Sequence, residues 1–80
     1  MSVPALVHAG KTAEARRILA ATPGRVNEVD EDGRSALMIA SGKGDEPMVN
    51  YLLSIDGVDI HLADSLGWTA CHIAALARAT

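Results

Sequence analysis

The sequence predicts an all-α solenoid in which helix-turn-helix repeats are joined by projecting β-turn loops. The main observation is an internal repeat: residues 33–40, GRSALMIA, return 34 residues later as residues 67–74, GWTACHIA. A fixed period of this length is typical of solenoid proteins. A second observation is that 49% of the residues are apolar, although the chain has no Phe, one Trp and one Tyr. An interior of Ala, Val, Ile and Leu suits closely packed pairs of helices.

The repeat extends along the whole chain. When the sequence is shifted against itself by 34 residues without gaps, seven pairs of residues are identical. These pairs are Gly10/Gly44, Leu19/Leu53, Asp30/Asp64, Gly33/Gly67, Ala36/Ala70, Ile39/Ile73 and Ala40/Ala74. Their spread indicates that the whole unit is duplicated, rather than one short motif.

The first unit is expected to contain two helices. The first covers residues 3–8, because Pro4 suits the first turn of a helix and Gly10 can end it. The second covers residues 12–21, with Thr12 as its cap. The run of residues 25–34 is polar and acidic, with Val26 and Val29 as its only apolar members, so we expect a projecting turn there rather than a core element.

The second unit shows the same signals more clearly. Ser35 is expected to cap a helix over residues 36–41, and residues 42–44, GKG, form the turn that follows. Asp45 then caps a second helix, in which Pro47 lies in the first turn. The spacing predicts that this helix buries one apolar stripe, which consists of Met48, Val49, Leu52 and Leu53. After the next loop, Thr69 is expected to cap a last helix from Ala70 to about Arg78.

These positions resemble the ankyrin repeat. The complete unit carries the family pattern at Asp30, Gly33, Ser35, Leu37, Ala40, Gly44, Val49, Leu52 and Leu53, and the next unit begins with Asp64, Gly67, Thr69, His72, Ala74 and Ala75. The chain departs from the pattern where the family has proline (Ala36 and Ala70), histidine (Met38) and the glycine after the first helix (Arg78). The resemblance implies a single domain, 1–80, with a degenerate first repeat (1–30), a complete repeat (31–64) and half of a third (65–80).

The resemblance also implies the function of a non-catalytic protein–protein interaction module with no cofactor. In the family, turn tips and the faces of the first helices form a concave binding surface. By position, the candidate contacts are Glu31, Asp32, Arg34, Met38, Gly42, Lys43, Ser65, Leu66, Trp68, His72 and Leu76. Two of these have a structural alternative. Trp68 could be partly buried on its own repeat, and the family histidine at the position of His72 hydrogen-bonds near the start of its helix.

Other interpretations of the chain stay open at this point. It could be a fragment of a larger ankyrin-containing enzyme or signalling protein, or a truncated or engineered piece without its own partner. The family is also a substrate of asparagine hydroxylation, and Asn27 and His61 each lie eight residues after a repeat leucine.

Several short patterns imitate catalytic or ligand-binding motifs but lack an essential member. The run Gly10-Lys11-Thr12 resembles the end of a phosphate-binding loop, but Ala5 stands where that loop needs its first glycine. An acidic run, Glu28, Asp30 and Asp32, imitates a calcium loop, but its twelfth position is Ile39 instead of the bidentate glutamate.

The adjacent Cys71 and His72 do not predict a metal site or a thiol enzyme. Neighbouring residues on a helix point about 100 degrees apart, so they cannot share one ion with good geometry. Because Cys71 takes the repeat position of Leu37, we expect it to be a small buried apolar residue.

The composition of the chain argues against some classes of binding partner and indicates the cellular compartment. The net charge is -3 and no run of Lys or Arg is present, which argues against nucleic acid as a partner. No stretch approaches 18 consecutive apolar residues, and the start lacks a basic segment followed by a long apolar run, so no membrane partner is expected. One cysteine cannot form an internal disulfide. We therefore expect an intracellular protein, in the cytoplasm or the nucleus.

The final helix is expected to leave an apolar C-terminal face. Its residues Cys71, Ile73 and Leu76 have no second helix after them in this sequence, and solenoid units do not bury their apolar faces alone. The sequence therefore predicts self-association through this face, most simply as a two-fold dimer. The alternative outcome is fraying of the chain after Gly67.

Overall fold

The structure is a computed structural model that describes residues 2–79, with side-chain surroundings described as far as Leu76. This part of the chain contains five α-helices and one 3-10 helix. They are α1 (Val3–His8), α2 (Thr12–Ala21), the 3-10 helix (Pro23–Asn27), α3 (Ala36–Lys43), α4 (Glu46–Leu53) and α5 (Ala70–Ala79). The described residues form no strand beyond two isolated antiparallel bridges, Val29 with Ser35 and Ala63 with Thr69. The predicted all-α solenoid is confirmed.

Most helix ends follow the predicted capping. The Ser35 hydroxyl accepts a hydrogen bond from the Met38 N–H at 3.3 Å, and the Asp45 carboxylate accepts one from the Met48 N–H at 3.3 Å. Helix α3 extends to Lys43, two residues beyond the predicted end, and stops at Gly44, whose φ of 70° is left-handed. The cap predicted at Thr12 is wrong: Thr12 is the first residue of α2, and the Lys11 side chain before it makes no capping bond.

Helix α3 is the centre of the core. It packs against α1, α4 and α5, and all residues from Ala36 to Ser41 are buried. A short helix with neighbours on three sides has no free face along its first turn and a half. Met38, one of the predicted contacts, is only 1% exposed and belongs to the core, so its side chain offers almost no accessible surface.

Two predictions about burial are also wrong. Val26 is only 2% exposed, because the 3-10 helix folds the start of the polar loop back onto the core. In α4, Leu52 is fully buried but Leu53 is 49% exposed. Successive helical residues point about 100 degrees apart, so the side that buries Met48 and Leu52 against the core turns Val49 and Leu53 toward a different side.

Polar side chains connect the units. The Asn27 amide donates to the carbonyl of Gly57 at 2.8 Å and accepts from the Asp59 N–H at 2.7 Å, which joins two successive loops. The Glu28 carboxylate accepts the first N–H of α1, from Val3, at 2.8 Å and also pairs with Arg25. Hydrogen bonds from Arg25, with that from Val3 added, lower the pKa of Glu28 against the opposing effect of partial burial.

No helix in the described range is long and apolar enough to cross a membrane.

Candidate functional site

The two turn tips are held rigid by the same local hydrogen bonds. One carboxylate oxygen of Asp30 accepts the N–H groups of Asp32 and Arg34, each at 2.9 Å. One repeat later, a carboxylate oxygen of Asp64 accepts the N–H groups of Leu66 and Trp68, also at 2.9 Å. Each aspartate carboxylate therefore serves as the hydrogen-bond acceptor for two backbone N–H groups of its own turn. These bonds fix the backbone direction of the residue that follows the turn glycine.

The tips also contact each other directly. The Ser65 N–H donates to the Asp32 carbonyl at 2.9 Å. Gly33, with a φ of +78°, lies so close to the next tip that a Cβ at this position would be 3.4 Å from backbone atoms of Asp64 and Ser65. The two tips thus form one continuous ridge along the side of the molecule.

Beside this ridge lies a hollow of about 370 Å³, which we call the central recess. Its walls come from the turn tips, from α3, from the end of α1 and from one residue of α5. The lining residues are His8, Arg34, Met38, Ile39, Gly42, Lys43, Asp64, Trp68 and Ile73. Five of the eleven sequence-predicted contacts therefore meet in one place: Arg34, Met38, Gly42, Lys43 and Trp68.

Ion pairs hold Arg34 at the rim of the recess. Its guanidinium lies 3.0 Å from Asp32 and 3.4 Å from Asp30. Pairs this exposed contribute little to stability, but two carboxylates on one guanidinium restrict its orientation. The edge of the recess is consequently a fixed guanidinium flanked by acidic groups.

Lys43 has a structural role that the sequence did not reveal. Its ammonium donates to the carbonyls of Val7 at 3.1 Å and His8 at 2.8 Å, which are terminal acceptors of α1. A cation at a helix C-terminus also interacts favourably with the helix dipole. Lys43 therefore connects α3 to α1 along one wall of the recess.

Trp68, which lines the recess, forms an ordered pair with His72, which lies outside the lining. Their rings meet edge to face, with centroids 5.9 Å apart and planes at 89°. His72 Nδ1 accepts from the Thr69 N–H at 3.3 Å and lies 3.0 Å from the Thr69 hydroxyl, so the neutral ring carries its proton on Nε2. The hydrogen bond near the start of the helix is the one that the family resemblance implied. Trp68 remains 39% exposed, so the predicted partial burial and an accessible side chain occur together.

The other predicted residues lie outside the recess. Glu31 and Asp32 border a separate hollow together with residues of α1 and its cap, including Ser2 and Ala5. Ser65 and Leu66 are at the second tip, where Leu66 is 79% exposed, and Leu76 is exposed on α5.

Sequence reasoning missed four recess residues: His8, Ile39, Asp64 and Ile73. A signal existed for His8, because it lies 34 residues before Gly42 and so takes the position of a nominated residue in the first unit. The sequence predicts that Ile73 contributes to an apolar end face. It instead packs against α3, where a Cβ on Gly42 would be 3.2 Å from Ile73 Cγ2.

The cysteine is not buried, contrary to the prediction. Leu37, its counterpart in the complete unit, is buried by α4 and the neighbouring helices, whereas Cys71 is exposed because no second helix in residues 2–79 packs over α5. Among the described residues, no group of three or more His, Cys, Asp or Glu side chains is placed to hold a metal ion.

Comparison with known families agrees with this architecture. Residues 5–80 match the family described as ankyrin repeats in three copies. The chain belongs to the ankyrin-repeat family. Ankyrin repeats are in general protein–protein interaction modules, which stack so that each unit adds to an extended surface.

Similar ankyrin-repeat segments occur in much longer proteins. Inversin-B of Xenopus laevis is 35% identical over 68 residues, which make up 84% of this chain and 7% of that protein. Inversin of Homo sapiens is 40% identical over 55 residues, or 68% of this chain and 5% of that protein. Inversin of Danio rerio is 41% identical over 51 residues, or 62% of this chain and 5% of that protein. The chain thus spans less than a tenth of the length of these curated relatives.

Proposed function

We propose that this ankyrin-repeat chain is a non-catalytic module that binds another protein through the central recess and the adjoining ridge of turn tips. The observation that carries the proposal is the position of Trp68 at the junction of the two, where the side chain is 39% exposed and its ring packs edge to face with His72. Trp and Arg are among the residue types most enriched in the energetically dominant contacts of interfaces. Arg34 lies on the same recess.

Preorganisation supports this assignment. Binding costs less when side chains and loops are already ordered in the free protein. Here the two tips are held by Asp30 and Asp64, the Arg34 guanidinium is held by carboxylates, and the tips are hydrogen-bonded to each other. A partner would therefore meet a surface that needs little rearrangement.

The chemistry of the surface also restricts the partner. Leu66 and Trp68 present apolar area on the second tip, while Glu31 and Asp32 place negative charge on the first. A complementary partner segment carries an apolar side chain that contacts Trp68, with basic groups on the side of the first tip.

The test begins with identification of the partner. The chain is immobilised, proteins captured from a cell extract are identified by mass spectrometry, and the affinity of each is measured with purified material. Trp68→Ala should weaken binding by about thirtyfold or more, as expected for truncation of a dominant interface residue. Arg34→Ala should also weaken binding, while helicity by circular dichroism stays unchanged.

Arg17→Ala is the matched control, because Arg17 is an exposed arginine on α2 and does not line the recess. If Trp68→Ala and Arg34→Ala both bound like the parent chain, the recess would not be the binding surface.

A further inference from the structure

Two Asp-Gly sequences occur in the chain, Asp32-Gly33 and Asp56-Gly57. Aspartate followed by glycine is especially prone to spontaneous isomerisation, in which the glycine nitrogen attacks the carboxyl carbon of the aspartate. Glycine favours this attack because it has no Cβ to obstruct its own nitrogen and its backbone is conformationally free. The surroundings of the two sequences differ greatly in the structure.

Contacts on all sides hold Asp32-Gly33 in place. The Gly33 N–H donates to the Asp30 carbonyl at 3.0 Å, and the Asp32 carbonyl accepts from the Ser65 N–H at 2.9 Å. The Asp32 carboxylate lies 3.0 Å from the Arg34 guanidinium. The attacking nitrogen, the carboxyl group and the peptide bond between them are therefore all engaged, so ring closure here requires local opening of the turn.

Asp56-Gly57, by contrast, is free to react. Both residues are exposed in the turn that follows α4. Over residues 2–79, the Gly57 N–H has no hydrogen-bond acceptor, and the Asp56 carboxylate has neither a hydrogen bond nor an ion pair. The space beside Gly57 is also open, because a Cβ at this position would meet nothing within 4 Å. The nitrogen and the carboxyl group can thus approach each other without breaking a contact.

This turn is part of the junction between the first two units. The Asn27 amide donates to the Gly57 carbonyl at 2.8 Å and accepts from the Asp59 N–H at 2.7 Å. The turn itself is closed by a hydrogen bond from the Val58 N–H to the Ile55 carbonyl at 3.2 Å. A change in the length of the backbone inside this closed turn moves the groups that Asn27 binds.

We propose that Asp56 is a site of spontaneous isomerisation to isoaspartate, and that the product weakens the junction made by Asn27. The backbone of isoaspartate runs through Cβ and Cγ, which adds one methylene directly before Gly57. That methylene lies inside the closed turn and displaces the Gly57 carbonyl from Asn27. Asn27, Asp56 and Gly57 do not line the central recess, so the modification is independent of the proposed function.

The reaction balances with water alone. The Gly57 nitrogen forms a bond to Cγ of Asp56, the bond from Cγ to the carboxyl hydroxyl breaks, and the hydroxyl leaves as water with the proton of the nitrogen. One water molecule then opens the resulting succinimide. Opening at the side-chain carbonyl restores aspartate, and opening at the main-chain carbonyl gives isoaspartate. No oxidant, reductant or enzyme is required.

The test ages the purified chain in neutral buffer at physiological temperature and follows both sequences in one sample. Trypsin separates them, because cleavage after Lys and Arg places Asp32 in the peptide of residues 26–34 and Asp56 in the peptide of residues 44–78. Electron-transfer fragmentation locates isoaspartate in each peptide. Methyl transfer from S-adenosylmethionine by an isoaspartyl methyltransferase measures its amount independently.

In the folded chain, isoaspartate should accumulate at Asp56 about fivefold or more faster than at Asp32, which is the factor expected from one hydrogen bond that must open. In concentrated urea the two rates should become similar, because both sequences are then unfolded. Asp56→Glu is the matched control: it keeps the charge, but its longer side chain closes a less favourable ring, so residue 56 should stay unmodified.

The isomerised chain, separated from the parent by chromatography, tests the effect on the junction. It should melt about 2–12 °C lower than fresh protein, as expected for the loss of about one hydrogen bond. In Asn27→Ala, which lacks the junction from the start, isomerisation should lower the melting temperature by less.

The assignment of the site is overturned by equal rates at Asp56 and Asp32 in the folded chain, by isoaspartate at neither, or by an unchanged preference for Asp56 in urea. The proposed effect on the junction is overturned if the isomerised chain melts like fresh protein. An equal decrease in Asn27→Ala and in the parent would overturn it as well.

Discussion

Neighbouring leucines in α4 provide the sharpest test of how the core is built. Leu52 is fully buried, whereas Leu53 is 49% exposed, although both residues are leucine and both lie in the last turn of the same helix. Leu52→Ala and Leu53→Ala remove the same atoms with the same change of helix propensity. The difference between the two variants therefore reports burial alone.

The expected magnitudes differ severalfold. Truncation of a fully buried leucine leaves a cavity and costs about 2–5 kcal/mol. An exposed leucine such as Leu53 loses only part of its transfer free energy, so Leu53→Ala should cost less than about 1 kcal/mol. A domain of this size is stabilised by about 4–12 kcal/mol in total, so Leu52→Ala alone removes a large fraction of the folding free energy.

Urea denaturation followed by far-ultraviolet circular dichroism measures both values, and thermal melting gives a second estimate. A loss of about 3 kcal/mol at Leu52 corresponds to a melting temperature lower by about 12–24 °C. Equal losses for Leu52→Ala and Leu53→Ala, or a greater loss at Leu53, would refute the assignment of the α4 faces.

Three further predictions concern the contacts between units. Lys43→Gln should lower stability by about 0.5–1 kcal/mol, because the carbonyls at the end of α1 lose a cation, and thermal melting should show a decrease of about 2–8 °C. Because the pKa of Glu28 is lower in the folded protein, its carboxylate stabilises the fold at pH values above the pKa of the unfolded chain. This contribution is lost as the pH falls through the folded pKa. Between about pH 5 and about pH 3, urea titrations should therefore show a greater loss of stability for the parent than for Glu28→Gln. Gly33→Ala should destabilise the protein more than Gly67→Ala in the same assay. Both glycines have a positive φ, which costs about 1–2 kcal/mol for alanine. Only at Gly33 would the added Cβ also lie 3.4 Å from neighbouring backbone atoms. Equal effects of the two glycine variants would contradict the close contact of the turn tips.

The fold was largely predictable because its signals are local or periodic. The 34-residue repeat fixed the number and order of helices, and hydroxyl or carboxylate caps such as Ser35 and Asp45 located two starts. Helix α3 ended later than predicted because Gly42 and Lys43 remain helical and only Gly44 adopts the left-handed conformation that stops a helix.

Burial was less predictable because it depends on neighbours that the local pattern does not specify. A stripe of apolar residues in α4 does not reveal which of Leu52 and Leu53 faces the core, since α4 has an apolar residue on each side. Met38 is a related case: its family position indicates a candidate contact, but α3 is enclosed by three helices. Polar contacts across units, such as those of Lys43, join residues 35 or 36 positions apart and leave no short-range signal.

Part of the candidate site was predictable from repeat position. Arg34 and Trp68 follow the two turn glycines, and the structure places both on one recess. The binding role of these residues, the division of the chain into three units at residues 30 and 64, and self-association stay predictions. The apolar end face differs from the one expected, because Ile73 packs inward and the exposed apolar surface beside Cys71 comes from Leu53 and Ile60.

The dependence of α1 on its neighbours has a consequence for cooperativity. A helix of six residues is far too short to persist alone in water, and both ends of α1 are held by side chains from later in the chain, Glu28 on the Val3 N–H and Lys43 on the carbonyls of Val7 and His8. The order of helix α1 therefore depends on its contacts with later parts of the chain, and its amides should lose protection from exchange when that coupling weakens. The free energy that joins the units, rather than the intrinsic stability of each one, decides how much of the molecule is folded at a given temperature.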